Sequence, residues 1–151
     1  MLKKMNKKGF TLAELLIVVA IIGVLVAISI PIFSAQLEKA REATDAANIR
    51  SAYAELAADA LTGEDVTAST EGNITINAAN ADSATLTATV KLTQATADWQ
   101  SSSLKGSKIG SMAAGTPTAK GTATITVTRS TGAAELTYQA ATATGKDATG
   151  K

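Results

Sequence analysis

Hydrophobic positions along this chain fall into three regimes, each calling for a different element. Residues 15–37 carry no charge over 23 positions, and the run LLIVVAIIGVLVAISIPIF at 15–33 is nearly unbroken. About 20 apolar residues in a helix are enough to cross a bilayer. Beyond it the pattern turns one-sided with a helical period: Phe33, Leu37, Ala40, Ala47, Tyr53, Leu56 and Ala60 share a stripe, and Ile49 lies four before Tyr53. Opposite that stripe lie Glu38, Lys39, Arg41, Glu42, Asp45 and Arg50, with Arg41 and Asp45 spaced for an i,i+4 pair. Gly63 is a suitable stop. The two regimes together predict one helix from about Thr11 to Thr62, roughly 52 residues and about 78 Å long at 1.5 Å per residue. No small domain encloses such a length, so its apolar first half is expected to protrude and to be covered by lipid or by partner subunits.

After Gly63 the chain is rich in Thr, Ser, Ala and Gly, and the period shortens to two. Strands are predicted at residues 73–77 (NITIN), 84–92 (ATLTATVKL), 122–129 (TATITVTR) and 134–139 (AELTYQ). In the second, Leu86, Ala88, Val90 and Leu92 share a face; in the third, Ala123, Ile125 and Val127 do. Threonines occupy the opposite faces, as in an antiparallel sheet with one wet side. The apolar side needs a cover, and the stripe with Ile49, Tyr53 and Leu56 is the available one. The fold class is therefore α+β: a very long amino-terminal helix, its first half apolar and protruding, its second half packed on a small antiparallel sheet of about four strands. In domain terms this divides the chain into 1–9, 10–33, 34–62 and a Thr/Ala-rich head at 63–151. Trp99, in the long loop at 98–118, is expected to plug the core.

Composition narrows the chemistry. The chain has no histidine and no cysteine, which excludes the common zinc sites, cysteine nucleophiles, Ser-His-Asp triads and disulfides. No catalytic constellation remains, and none of the patterns calls for a metal or a cofactor. Net charge is +1, so nothing marks the whole protein as a binder of nucleic acid. The balance hides an asymmetry: Lys3, Lys4, Lys7 and Lys8 precede the first acid, Glu14, and without them ten basic residues face thirteen acidic ones, a net of −3. Lysines before an apolar span and none soon after it place the amino end in the cytoplasm and export the body.

Four further patterns resemble sites without the features that a site needs. GKDATGK at 145–151 has phosphate-loop spacing but neither Ser/Thr nor a following helix. Glu64 and Asp65 lack the spacing of a calcium loop. Asn73-Ile74-Thr75 is a glycosylation sequon of a kind that arises by chance. Lys91, Lys105, Lys108 and Lys120 read as scattered solvated charges. The composition at 141–151 predicts loose order.

The apolar run is too long for a secretory signal, and it carries an acid at its mouth. Thr11 and Glu14 have capping-box spacing, which accounts for that acid locally. The segment KKGFTLAELLIVVAIIGVLVAISIPIF, however, resembles the start of a type IV pilin. The resemblance covers residues 1 to about 60. It implies a basic leader, residues 1–9, removed by a prepilin peptidase between Gly9 and Phe10, followed by N-methylation of Phe10. It also implies assembly into a helical filament through Phe10, Glu14, Leu15, Leu16, Val18, Ile22 and Leu25, with a helix-weakening proline at Pro31; Gly23 is a further soft point by its own low helix propensity. On this resemblance the precursor sits in the cytoplasmic membrane, and the assembly machinery polymerises it into a surface fibre for adhesion, motility or DNA uptake. The family's second-half disulfide has no counterpart here, a departure that leans towards pilins of Gram-positive bacteria. A pseudopilin of a secretion or competence system shares the same motif, and a single-span anchored binding domain is a further alternative.

The physical reading of the residues agrees with such a start. Cleavage before Phe10 would create an amine four residues ahead of Glu14. In a stagger of subunits, the amine of one copy can meet Glu14 of its neighbour in a low-dielectric setting, where the attraction strengthens. Pairing then sets the register, while bundling keeps the apolar surface out of water.

Overall fold

The computed structural model describes residues 9–141. The expectations for the leader before Gly9, for the GKDATGK segment and for the order of the tail lie outside these residues. Internal contacts divide the chain into two units, one up to Leu37 and one from Glu38 onward.

One helix, α1 (Leu12–Thr62), contributes to both units. Within the first unit its side chains, apart from Glu14, Ser29, Ser34 and Gln36, are apolar, and they are exposed on every side. The helix contains Pro31 and is continuous through it and through Gly23, so the weakening expected at these two positions is no break in the single chain. Pro31 cannot donate to the carbonyl four residues earlier. Nearby, the Ser29 and Ser34 hydroxyls donate to the carbonyls of Leu25 and Ile30 at 2.6 and 3.0 Å. Such back-bonding satisfies a hydroxyl in an apolar helix at little cost.

The second unit is a sheet covered by the later part of the same helix. Among the described residues seven strands follow it: β1 (Ser69–Glu71), β2 (Ile74–Ile76), β3 (Thr85–Lys91), β4 (Lys108–Ile109), β5 (Met112–Ala113), β6 (Thr122–Thr128) and β7 (Ala134–Gln139). Five form an antiparallel sheet in the order β1-β2-β3-β6-β7, and β4 and β5 pair separately. The long central strands alternate as their sequences require: Leu86, Ala88 and Val90 of β3 and Ala123, Ile125 and Val127 of β6 are buried, while the threonines between them face the wet side. Ala46, Ile49, Ala52 and Leu56 of α1 close the core from the other side, with Tyr53 packed against it. Trp99 plugs this core as expected, 1% exposed, its indole N–H donating to the carbonyl of Ala114.

Three expectations need correction. The sheet has five strands rather than about four, because β1, all exposed and wholly polar (STE), shows no alternation to read. The 98–118 loop also contains the β4–β5 hairpin. Its first turn residue, Gly110, has φ of +64°, and a Cβ there would stand 2.7 Å from the Tyr53 ring, so both the turn and the packing demand glycine. Most informative is the helix face. Ala40 and Ala47 are exposed, Ala46 and Ala52 are buried, and Glu38, Glu42 and Asp45, expected on the wet face, are buried as well. Arg41 pairs not with Asp45 but with Glu38, at 3.3 Å.

Candidate assembly segment

Gly9 and Phe10, the residues of the expected cleavage and methylation, are exposed and precede the helix. Phe10 is 90% exposed. Thr11 and Glu14 form the reciprocal capping box that their spacing predicts. The Thr11 backbone N–H donates to Glu14 Oε2 at 2.8 Å, the Thr11 hydroxyl donates to the same oxygen at 2.7 Å, and the Glu14 N–H donates to Thr11 Oγ1 at 3.3 Å. These bonds satisfy donors that the first helical turn leaves orphaned. They also hold one carboxylate oxygen at the start of a helical segment that carries no other charge before Glu38, and no bond among the described residues engages Oε1.

Leu15, Val18, Ile22 and Leu25 follow one another at spacings of three and four and so share a face, with Leu16 beside it. All five are at least half exposed. The structure does not set them apart from Ile17, Val19, Ile21 and Val24, which are exposed too. A helix that is apolar on every side is stable only inside a membrane or a bundle, and α1 is long and apolar enough to cross a membrane.

The second unit holds a constellation that sequence reasoning placed in solvent. Asp45 accepts the Thr93 and Gln94 N–H groups, each at 2.9 Å, and the Thr93 hydroxyl at 2.8 Å. Glu38 Oε1 accepts the Ala95 and Thr96 N–H groups at 2.6 and 2.7 Å and the Thr96 hydroxyl at 2.9 Å. Glu42 accepts the Gln100 and Ser101 N–H groups at 2.6 and 2.8 Å. Three helix carboxylates, spaced four and three apart and hence on one face, thus bind the backbone of residues 93–101. Burial alone pushes the Glu38 carboxyl up, but the hydrogen bonds from Thr96 and Ala95 and the Arg41 pair outweigh it and hold the group below its ordinary value. Among the described residues no group of three or more acids, histidines or cysteines is placed to hold a metal ion. The available signal was the i,i+4,i+7 spacing of the acids, which a solvent face shares.

A prepilin-type start on a single long helix, followed by a helix-covered antiparallel sheet, makes this chain similar to type IV pilins. Comparison with known proteins agrees. Residues 4–30 match the family model described as the prokaryotic N-terminal methylation motif. The chain is similar to the type IV narrow pilus major component PilA5 of Thermus thermophilus, 53% identical over 53 residues, a stretch covering 33% of this chain and 46% of that protein. The match therefore spans less than half the length of that relative.

Proposed function

We propose that this chain is the major structural subunit of a type IV pilus, stored in the cytoplasmic membrane with its amino end inside and polymerised into a surface filament. Prepilin peptidase would cut between Gly9 and Phe10, and the new amine of Phe10 would be methylated. One observation carries the reading: a segment apolar on all sides begins directly at a prepilin-type motif, with one acid at its first turn. In a staggered bundle, Glu14 Oε1 is the oxygen available to the amine of the next copy, while Oε2 keeps the cap of its own helix. Leu15, Leu16, Val18, Ile22 and Leu25 then pack between copies, and the stretch around residues 28–31, short of one helical donor at Pro31, is where the helix would loosen in the filament. The head domains face outward and carry adhesion, motility or DNA uptake.

Shearing producing cells and sedimenting the released material tests this. The chain is expected to dominate the sheared filaments. Its confinement to the membrane pellet contradicts the proposal and points to a pseudopilin or a single-span anchor.

A further inference from the structure

The fold sorts the four lysines that look scattered in the sequence. Lys105 pairs with Asp98 at 2.7 Å, and Lys108 lies on the β4–β5 hairpin. Lys91 and Lys120 instead line one groove of about 390 Å³ together with Asn73, Thr75, Thr89 and Thr122. Strand register puts them there. Lys91 stands opposite Thr122, and Lys120 is two residues before it; Thr75 stands opposite Thr89 on the other side; and the Asn73 carbonyl accepts the Lys91 N–H at 2.8 Å. Neighbouring strands lie about 4.8 Å apart, so the two lysines border one patch of threonines and an asparagine. Both lysines are exposed, and neither makes an ion pair among the described residues.

Lys120 is also held in a backbone conformation that lysine disfavours. Its φ is +49°, in the left-handed region that glycine adopts with less strain. Its N–H donates to the Gln94 carbonyl at 2.9 Å. The next residue, Gly121, has no room for a Cβ against the Thr118 side chain and the Gln139 carbonyl. A long cation is therefore fixed where a small residue would fold more easily.

We propose that this groove binds an anionic saccharide, a uronate-bearing glycan whose carboxylate sits between Lys91 and Lys120 and whose hydroxyls exchange hydrogen bonds with Asn73 and the threonine row. Two cations without acidic partners among the described residues call for an anion, and the neutral donors and acceptors around them match sugar hydroxyls. A single-stranded nucleic acid would instead want aromatic platforms for its bases. The groove has none, and Trp99 is buried in the core.

The test titrates the purified full-length chain in detergent micelles with oligogalacturonate at low salt, beside neutral dextran and single-stranded DNA. Saturable binding of oligogalacturonate alone is expected. Lys91→Ala and Lys120→Gly should each weaken it about tenfold, and Lys108→Ala by less than about twofold. Lys120→Gly should keep or raise the melting temperature, which separates loss of ligand from loss of fold. Absence of binding, equal binding of DNA, or an equal loss in Lys108→Ala overturns the proposal. Because the assay uses dispersed chains, its outcome is independent of filament formation.

Discussion

Asp45, on the buried face of the helix, accepts both the backbone N–H and the hydroxyl of Thr93, at 2.9 and 2.8 Å. The side chain completes the hydrogen bonding of a segment that leaves the sheet at the end of β3, where the Thr93 and Gln94 N–H groups have no backbone acceptor among the described residues. Replacing Asp45 by Ala strands the N–H groups of Thr93 and Gln94 in a buried setting and is expected to cost about 2–4 kcal/mol. Asp45→Asn keeps one acceptor and should lose less. Urea unfolding of the detergent-solubilised chain measures both, and wild-type stability in Asp45→Ala would show that the bonds contribute nothing.

Acid should unfasten the same segment. The folded Glu38 carboxyl lies below its ordinary value, so the folded state binds that proton less readily than the unfolded one. Its contribution is complete above the unfolded value and fades as pH falls through the folded one. Asp98 acts in the same direction, held low by the Lys105 hydrogen bond and the Trp99 N–H. Melting temperature is therefore expected to fall as pH drops below about 4.5, with a shallower slope in Glu38→Gln. At the alkaline end the sign reverses. Tyr138 is raised, first by burial and then by the charge of Asp45, and its hydroxyl donates to the Ala114 carbonyl at 2.6 Å. Stability should decline as pH rises above about 10, and Tyr138→Phe should remove that decline.

Much of this architecture could be read from residue patterns. Uncharged length announced the first helical segment, and period-two alternation located β2, β3, β6 and β7 to within two residues at each end. What escaped has physical causes. A polar edge strand such as β1 buries nothing, so no alternation betrays it. The acids at 38, 42 and 45 obey the spacing of a wet face, and only the long-range partners at 93–101 reveal them as acceptors inside the fold. Assigning them to solvent displaced the apolar stripe onto Ala40 and Ala47, away from Ala46 and Ala52. The Lys91–Lys120 groove depends on pairing between strands some thirty residues apart, which spacing along the chain cannot display.

Gly110 tests the packing of hairpin on helix. Its φ is +64°, and a methyl group at that position meets the Tyr53 ring. Gly110→Ala should destabilise the chain by about 1–3 kcal/mol, read as a lowered unfolding midpoint in urea with an unchanged slope. An unaltered midpoint would mean that the hairpin and Tyr53 separate freely.

Glu14 combines a cap within its own helix with the proposed bond to a neighbouring copy, and two substitutions separate these roles. Thr11→Val removes the hydroxyl of the capping box and leaves the carboxylate, so filament yield should persist. Glu14→Ala removes both, and the protein should be cleaved yet assemble poorly. Filament mass in the sheared fraction and leader removal in the membrane fraction are the two readouts. Equal filament yields from both variants would leave Glu14 with a local role alone.

Intact-mass spectrometry of the chain recovered from sheared cell-surface material bears most directly on the central claim. A pilin subunit predicts a species lacking residues 1–9 and carrying one added methyl group on Phe10. Recovery of the chain with its first nine residues intact and Phe10 unmethylated contradicts it.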